Sequence, residues 1–142
     1  MKVVKQFEEF IEEGVARKVS PDNQRAENLR HESERKLDQL QKAFKKMGID
    51  DENANDYLED CYNIIMFLVR ANMFEQGFTS SGQGAHEAEV AYARRLKFTD
   101  SEIQMLDQLR YFRNGILYYG KRFDKDYADK IIEFTKKVCK RL

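Results

Sequence analysis

The chain has 142 residues, of which 42% are hydrophobic and 35% charged. That size and mixture describe one folded domain, residues 1–142, able to bury roughly two-thirds of its unfolded surface, and exclude a disordered chain. The 25 basic side chains balance the 25 acidic ones, which excludes a general nucleic-acid or membrane footprint, and no run of about 18 uncharged apolar residues exists to cross a bilayer.

One Pro and seven Gly leave too few turn residues for a small β-sandwich, and the periodicity predicts helices throughout. A short first helix is predicted over about residues 4–13, with Phe7, Phe10 and Ile11 on one side. Gly14 loosens the chain after it. Ser20-Pro21-Asp22 reads as a helix start, with Ser20 as N-cap and Pro21 at the first helical position. The second helix carries Ala26, Leu29, Ser33, Leu37, Leu40, Phe44 and Met47 on one stripe and ends at Gly48. His31 lies on its charged side and reads as a surface residue.

The third helix is predicted over about 54–74. Its apolar residues, Tyr57 to Ala71, cover more than half of its circumference, so it should be central and contacted from several sides. Residues 77–84 (GFTSSGQG) are the one flexible stretch, a mobile lid or a connector. They lack the Gly-Lys-Ser/Thr ending of a P-loop. A fourth helix is predicted over 85–96, opening with His86. Thr99 and Glu102 form a capping box for a fifth helix that stops at Gly120, and Asp124 caps a sixth whose stripe is Tyr127/Ala128, Ile131, Phe134/Thr135, Val138 and Leu142.

Cys61 and Cys139 share no metal-ligand spacing, and the carboxylates at 50–52 lack the alternation of a calcium loop, so no metal site and no cofactor is expected. The cysteine usage and the charged start MKVVKQFEEF point to the cytoplasm as location. Charge is uneven along the chain. Residues 47–69 carry acids and no Lys or Arg; residues 110–142 carry ten basic and four acidic side chains. The plain reading is solvated helix faces, and the sharper one a basic surface for a phosphate backbone or an acidic partner.

The fifth helix carries the most chemistry. At about 100° per residue, Leu106 and Arg113 lie only about 20° apart, so Arg113 is aimed into the apolar face formed by Ile103, Leu106, Leu109, Phe112, Ile116 and Leu117. A guanidinium there needs partners or a wet cleft. Asp107, Arg110, Asn114 and Tyr118 form a polar flank beside it at helical steps, and the interior Gly115 reads as room for another backbone or a ligand. An Asp–Arg surface pair with a snorkelling Arg113 is the structural alternative. An Arg in the apolar face with a Gly two residues later also suggests a second subunit closing over a wet cleft.

The run Arg110-Tyr111-Phe112-Arg113-Asn114-Gly115-Ile116-Leu117-Tyr118-Tyr119-Gly120 resembles the Arg-Asn motif of the HEPN superfamily (higher eukaryotes and prokaryotes nucleotide-binding). Residues 14–22 with Arg25-Ala26, residues 77–82, and Ala85-His86-Glu87-Ala88 are similar to other HEPN segments in the same order. The resemblance implies an all-α, up-and-down bundle of four core helices plus short extra helices. It also implies a homodimer whose motif helices line a shared cleft, and a minimal nucleotidyltransferase as partner, as in toxin–antitoxin modules. Many members are metal-independent ribonucleases whose motif is Arg, a polar residue, a short spacer and then His. Arg113 and Asn114 match; the His does not, because Tyr118 and Tyr119 stand there and no His follows His86.

Two functions follow. One is a binding module whose Arg113 cleft holds a nucleotide, RNA or a partner protein without catalysis, with Asp107, Arg110, Arg113, Asn114, Tyr119 and His86 as ligand-binding residues. The other is a ribonuclease with Arg113, Asn114 and Tyr118 as catalytic residues. Tyr, with an ordinary pKa of about 10, is a poor base at neutral pH, so the enzyme reading stands second.

Overall fold

A computed structural model describes residues 3–142. In chain order it contains α1 (Phe7–Glu12), β1 (Ala16–Lys18), α2 (Asn23–Met47), α3 (Ala54–Gln76), β2 (Phe78–Ser80), α4 (Ala85–Tyr92), a single 3-10 turn (Ala93–Leu96), α5 (Asp100–Tyr119) and α6 (Lys125–Cys139). The architecture is an all-α helical bundle carrying one small two-stranded ribbon. No helix among the described residues is long and apolar enough to cross a membrane.

The expected central helix is α3. Its apolar residues run nearly all the way round, and Leu58, Cys61, Ile64, Ile65, Met66, Val69 and Ala71 are fully buried. Such a helix must be covered on every side. α2 packs along one side, α6 along another, and α4 and α5 close the rest. The Ser33 hydroxyl, buried between α2 and α3, donates to the Ile64 carbonyl at 2.8 Å, so this one polar group in the α2 stripe is satisfied.

The caps of the last two helices match expectation. Thr99 Oγ1 accepts from the Glu102 N–H and Glu102 returns a bond to the Thr99 N–H, closing the box. Asp124 accepts from the Tyr127 N–H. Ala128, Ile131, Ile132, Phe134, Thr135 and Val138 form the buried stripe of α6.

Several boundaries differ. α1 begins at Phe7 on a capping box from Gln6 and Glu9, and Ile11 faces outward while Val4 takes the buried place. α2 begins at Asn23 with Asp22, not Ser20, as its cap. The reason is tertiary. The Val19 N–H donates to the Gly77 carbonyl at 2.8 Å and the Asp22 N–H to the Phe74 carbonyl at 2.9 Å, so Ser20 and Pro21 are held outside the helix, against the end of α3. Met47 closes α2 as an exposed residue, outside the stripe assigned to it.

The fourth predicted helix is shorter than expected. α4 tightens into the 3-10 turn and ends at Lys97, the one non-glycine residue with positive φ (66°) among the described residues.

The Gly/Ser stretch is the largest departure. Phe78–Ser80 pairs antiparallel with Ala16–Lys18, in the register Ala16 with Ser80 and Lys18 with Phe78. Ser81 then donates its N–H to the Val15 carbonyl at 3.0 Å. The stretch is therefore neither a mobile lid nor a bare connector but a ribbon edge. Phe78 stacks edge-on with Phe7 at 5.4 Å, and the Arg95 guanidinium lies over both rings. The turn into the ribbon needs glycine: Gly77 has φ of +80°, and a Cβ there would meet the Val19 oxygen at 2.6 Å.

The Gly77→Ala variant is expected to lose about 2 kcal/mol or more, because left-handed strain and a backbone clash add. Gly82→Ala has the strain (φ +78°) but open space, and is expected to lose only about 1 kcal/mol. Urea unfolding of the two variants measures the difference.

Candidate functional site

α5 lies along α3 with Ile103, Leu106 and Leu109 fully buried between them. Arg113 continues that stripe. Its guanidinium sits 5.1 Å from the centre of the Tyr62 ring on α3, and its Nε is buried with no hydrogen-bond partner among the described residues. The Tyr62 hydroxyl is likewise buried and without a partner. Burial, with a further push from Glu89, raises that phenol to about 12, against the pull of Arg70, Arg113 and Arg110. Tyr62 therefore stays neutral and offers its ring face to the cation.

One turn back along α5, Arg110 is differently placed. Its Nε donates to Asp107 at 2.9 Å, and Glu87 of α4 lies 3.8 Å from its other nitrogen. Arg70 of α3 makes a two-point contact with Glu89 of α4, at 2.7 and 3.1 Å, and His86 Nδ1 lies 3.1 Å from the same carboxylate. Burial works against the charge on Glu89. The hydrogen bonds from His86 and Arg70 outweigh it and hold the carboxyl below the ordinary carboxylate value. Thus three arginines and three carboxylates line the junction of α3, α4 and α5. Arg70 and Arg110 have carboxylate partners, whereas among the described residues Arg113 has only an aromatic face.

The other expected site residues lie elsewhere. Asn114, Gly115 and Tyr119 line a groove of about 450 Å³ on the outer side of α5, with Tyr111, Lys121 and Arg122. Arg113 and Asn114, adjacent in sequence, face different spaces. Tyr118 is 75% exposed and sits about 140° around the helix from Arg113. α5 is continuous through Gly115 to Tyr119, so Tyr118 is not brought to Arg113 within one copy.

Gly115 makes room for this chain's own Lys121: a Cβ would meet Lys121 Cδ at 3.2 Å, and Lys121 donates its N–H to the Gly115 carbonyl. His86 meets Glu89 on its own helix rather than Arg113. Leu117, on the inner side of α5 by spacing, is 48% exposed, so the last turn of α5 overhangs the bundle.

Tyr62, Arg70 and Glu89 were not among the expected site residues. A signal existed for two of them. Arg70 interrupts the long apolar helix α3, and Glu89 stands in the apolar run Ala88–Tyr92; a charge in such a place needs a charged partner. Nothing in the sequence singles out Tyr62 from the other aromatic core positions. No group of three or more His, Cys, Asp or Glu able to hold a metal ion occurs among the described residues. No protein-family model matches the chain, and neither a curated protein nor a solved structure matches it.

Because the folded Glu89 carboxyl lies below its unfolded value, it contributes stability above the unfolded pKa of about 4.3 and loses it as pH falls through the folded one. Urea midpoints should therefore drop below about pH 4.5 in the native protein. Glu89→Leu, which leaves Arg70 buried without its partner, should lose about 3 kcal/mol at pH 7 and show a shallower acid decline. Unchanged acid dependence in that variant would contradict the assignment.

Proposed function

We propose that the chain is a dimeric, HEPN-like binding module that holds an anionic ligand, a nucleotide or an RNA phosphate, on Arg113 and does not cleave it. The observation that carries this reading is the half-buried Arg113 guanidinium over Tyr62, which has no carboxylate partner among the described residues. Arg110 beside it is already held by Asp107. A cation held at the edge of a core without an anion is open to one from outside, through charge-assisted hydrogen bonds.

Arg110 and Asp107 then act as a fixed polar wall, and the ligand bond falls to Arg113 rather than to Arg110. The groove with Asn114 and Tyr119 lies across α5 from Arg113. A mononucleotide does not touch both within one copy; an RNA strand, or the groove of a second copy, is what would bring a base to Asn114. The overhanging Leu117 and Tyr118 support a second copy as the natural cover for this end of α5. A minimal nucleotidyltransferase is the further partner that the resemblance implies. The enzyme reading gains no support from geometry, since Tyr118 is exposed and turned away from Arg113.

Calorimetry with inorganic phosphate and with deca-uridine RNA tests the reading. Arg113→Ala is expected to weaken binding by about tenfold to a hundredfold. Light scattering should give about twice the 16.9 kDa chain mass, and labelled RNA should remain intact at pH 7. Equal binding by Arg113→Ala, or a monomer mass, would contradict the corresponding part.

A further inference from the structure

α2 and α6 both pack on α3 but scarcely on one another, and the seam between them is open. Three cavities lie end to end along it, of about 240, 210 and 360 Å³. The first and second share Arg30, Leu68 and Leu142, and the second and third share Leu37 and Cys139. They form one continuous groove. On its α2 wall it runs from Arg30 to Gln41, eleven residues or about 16 Å. None of its lining residues belongs to α5 or takes part in the Arg113 junction.

The floor is aliphatic. Leu68 is nearly buried, while Leu37, Cys139 and Leu142 are half-buried, so a strip of apolar surface stays wet along the whole groove. The walls are polar and mainly basic. Arg30, Lys136 and Arg141 each have one carboxylate partner, Glu75, Glu133 and Glu102 respectively. Lys97 at one end and Lys140 at the other have none among the described residues. Glu34 is the one acid that lines the groove.

We infer that this groove is a docking site for an acidic amphipathic helix of a partner protein. A length of about 16 Å is three helical turns, and the apolar strip asks for the i, i+3/i+4, i+7 face of such a helix. The unmatched Lys97 and Lys140 ammonium groups at the two ends select acids flanking that face. A single-stranded nucleic acid fits less well, because no aromatic ring lines the groove to stack a base. The inference is independent of the Arg113 reading.

The test uses the full chain with methyl-labelled leucine and a capped synthetic helix of about fourteen residues, leucines on one face and glutamates on the other, long enough to fill the groove. The Leu37, Leu68 and Leu142 methyl signals are expected to shift on titration. The double variant Lys97→Glu/Lys140→Glu, both exposed positions, should weaken the peptide at least tenfold, whereas Arg113→Ala should leave it unchanged. A lysine-for-glutamate version of the peptide should bind at least tenfold more weakly than the acidic one. The inference is overturned by unshifted methyls at millimolar peptide, by equal binding of the two peptides, by deca-uridine RNA moving these methyls instead, or by the same shifts arising from self-association alone.

Discussion

The whole arrangement depends on one helix that cannot face water. α3 is apolar over most of its circumference, so the chain has to lay other helices on each of its sides before it is stable. The amphipathic α2 and α6 supply two long covers, and the shorter α4 with the first half of α5 supplies the rest. Burial of α3 is also what makes its polar residues consequential. Asn55 near its start donates to the Lys121 carbonyl at 2.8 Å and accepts from the Phe123 N–H at 3.0 Å, which fixes the turn between α5 and α6. Arg70 further along needs Glu89, and that pairing fixes α4 against α3.

The candidate site is a by-product of that packing that the chain has not neutralised. Buried charge is tolerated when it is paired and hydrogen-bonded. Arg70–Glu89 and Arg110–Asp107 meet that condition. Arg113 is held over a neutral phenol ring, which attracts a cation without cancelling its charge. Beyond it Ile116 still packs on the core, while Leu117, Tyr118 and Tyr119 are exposed, so the cation stands at the edge of the packed region. The same logic separates the two faces of the protein. The α3–α4–α5 junction is rich in charge and leaves Arg113 without a carboxylate partner among the described residues, whereas the α2–α6 seam is aliphatic with basic ends.

Much of this was legible in the sequence where the signal is local. The capping box at Thr99, the Asp124 cap, the all-round apolar character of α3 and the inward aim of Arg113 follow from spacing alone. What was not legible depends on groups far apart in the chain. Three-residue strands at 16–18 and 78–80 are too short to show alternation, and their pairing is set by Gly77 lying against Val19. Ser20-Pro21 has the composition of a helix start, yet Val19 and Asp22 bond to the end of α3 and move the cap to Asp22. Helical spacing put Asn114 and Tyr118 beside Arg113 as a flank. Only the position of α3 shows that Arg113 goes under α5 while Asn114 opens onto the other side. Gly115 reads as room for another backbone or a ligand, whereas the group it admits is the Lys121 side chain.

The most direct measurement is the Nε–H signal of Arg113 in the arginine-labelled protein, followed while inorganic phosphate is added. A buried Nε–H without an acceptor should begin apart from the signals of Arg70 and Arg110, whose Nε groups donate to carboxylates. The Arg113 signal is expected to move with saturation while those of Arg70 and Arg110 stay in place. An Arg113 signal that does not respond, or a response centred on Arg110 instead, would contradict it.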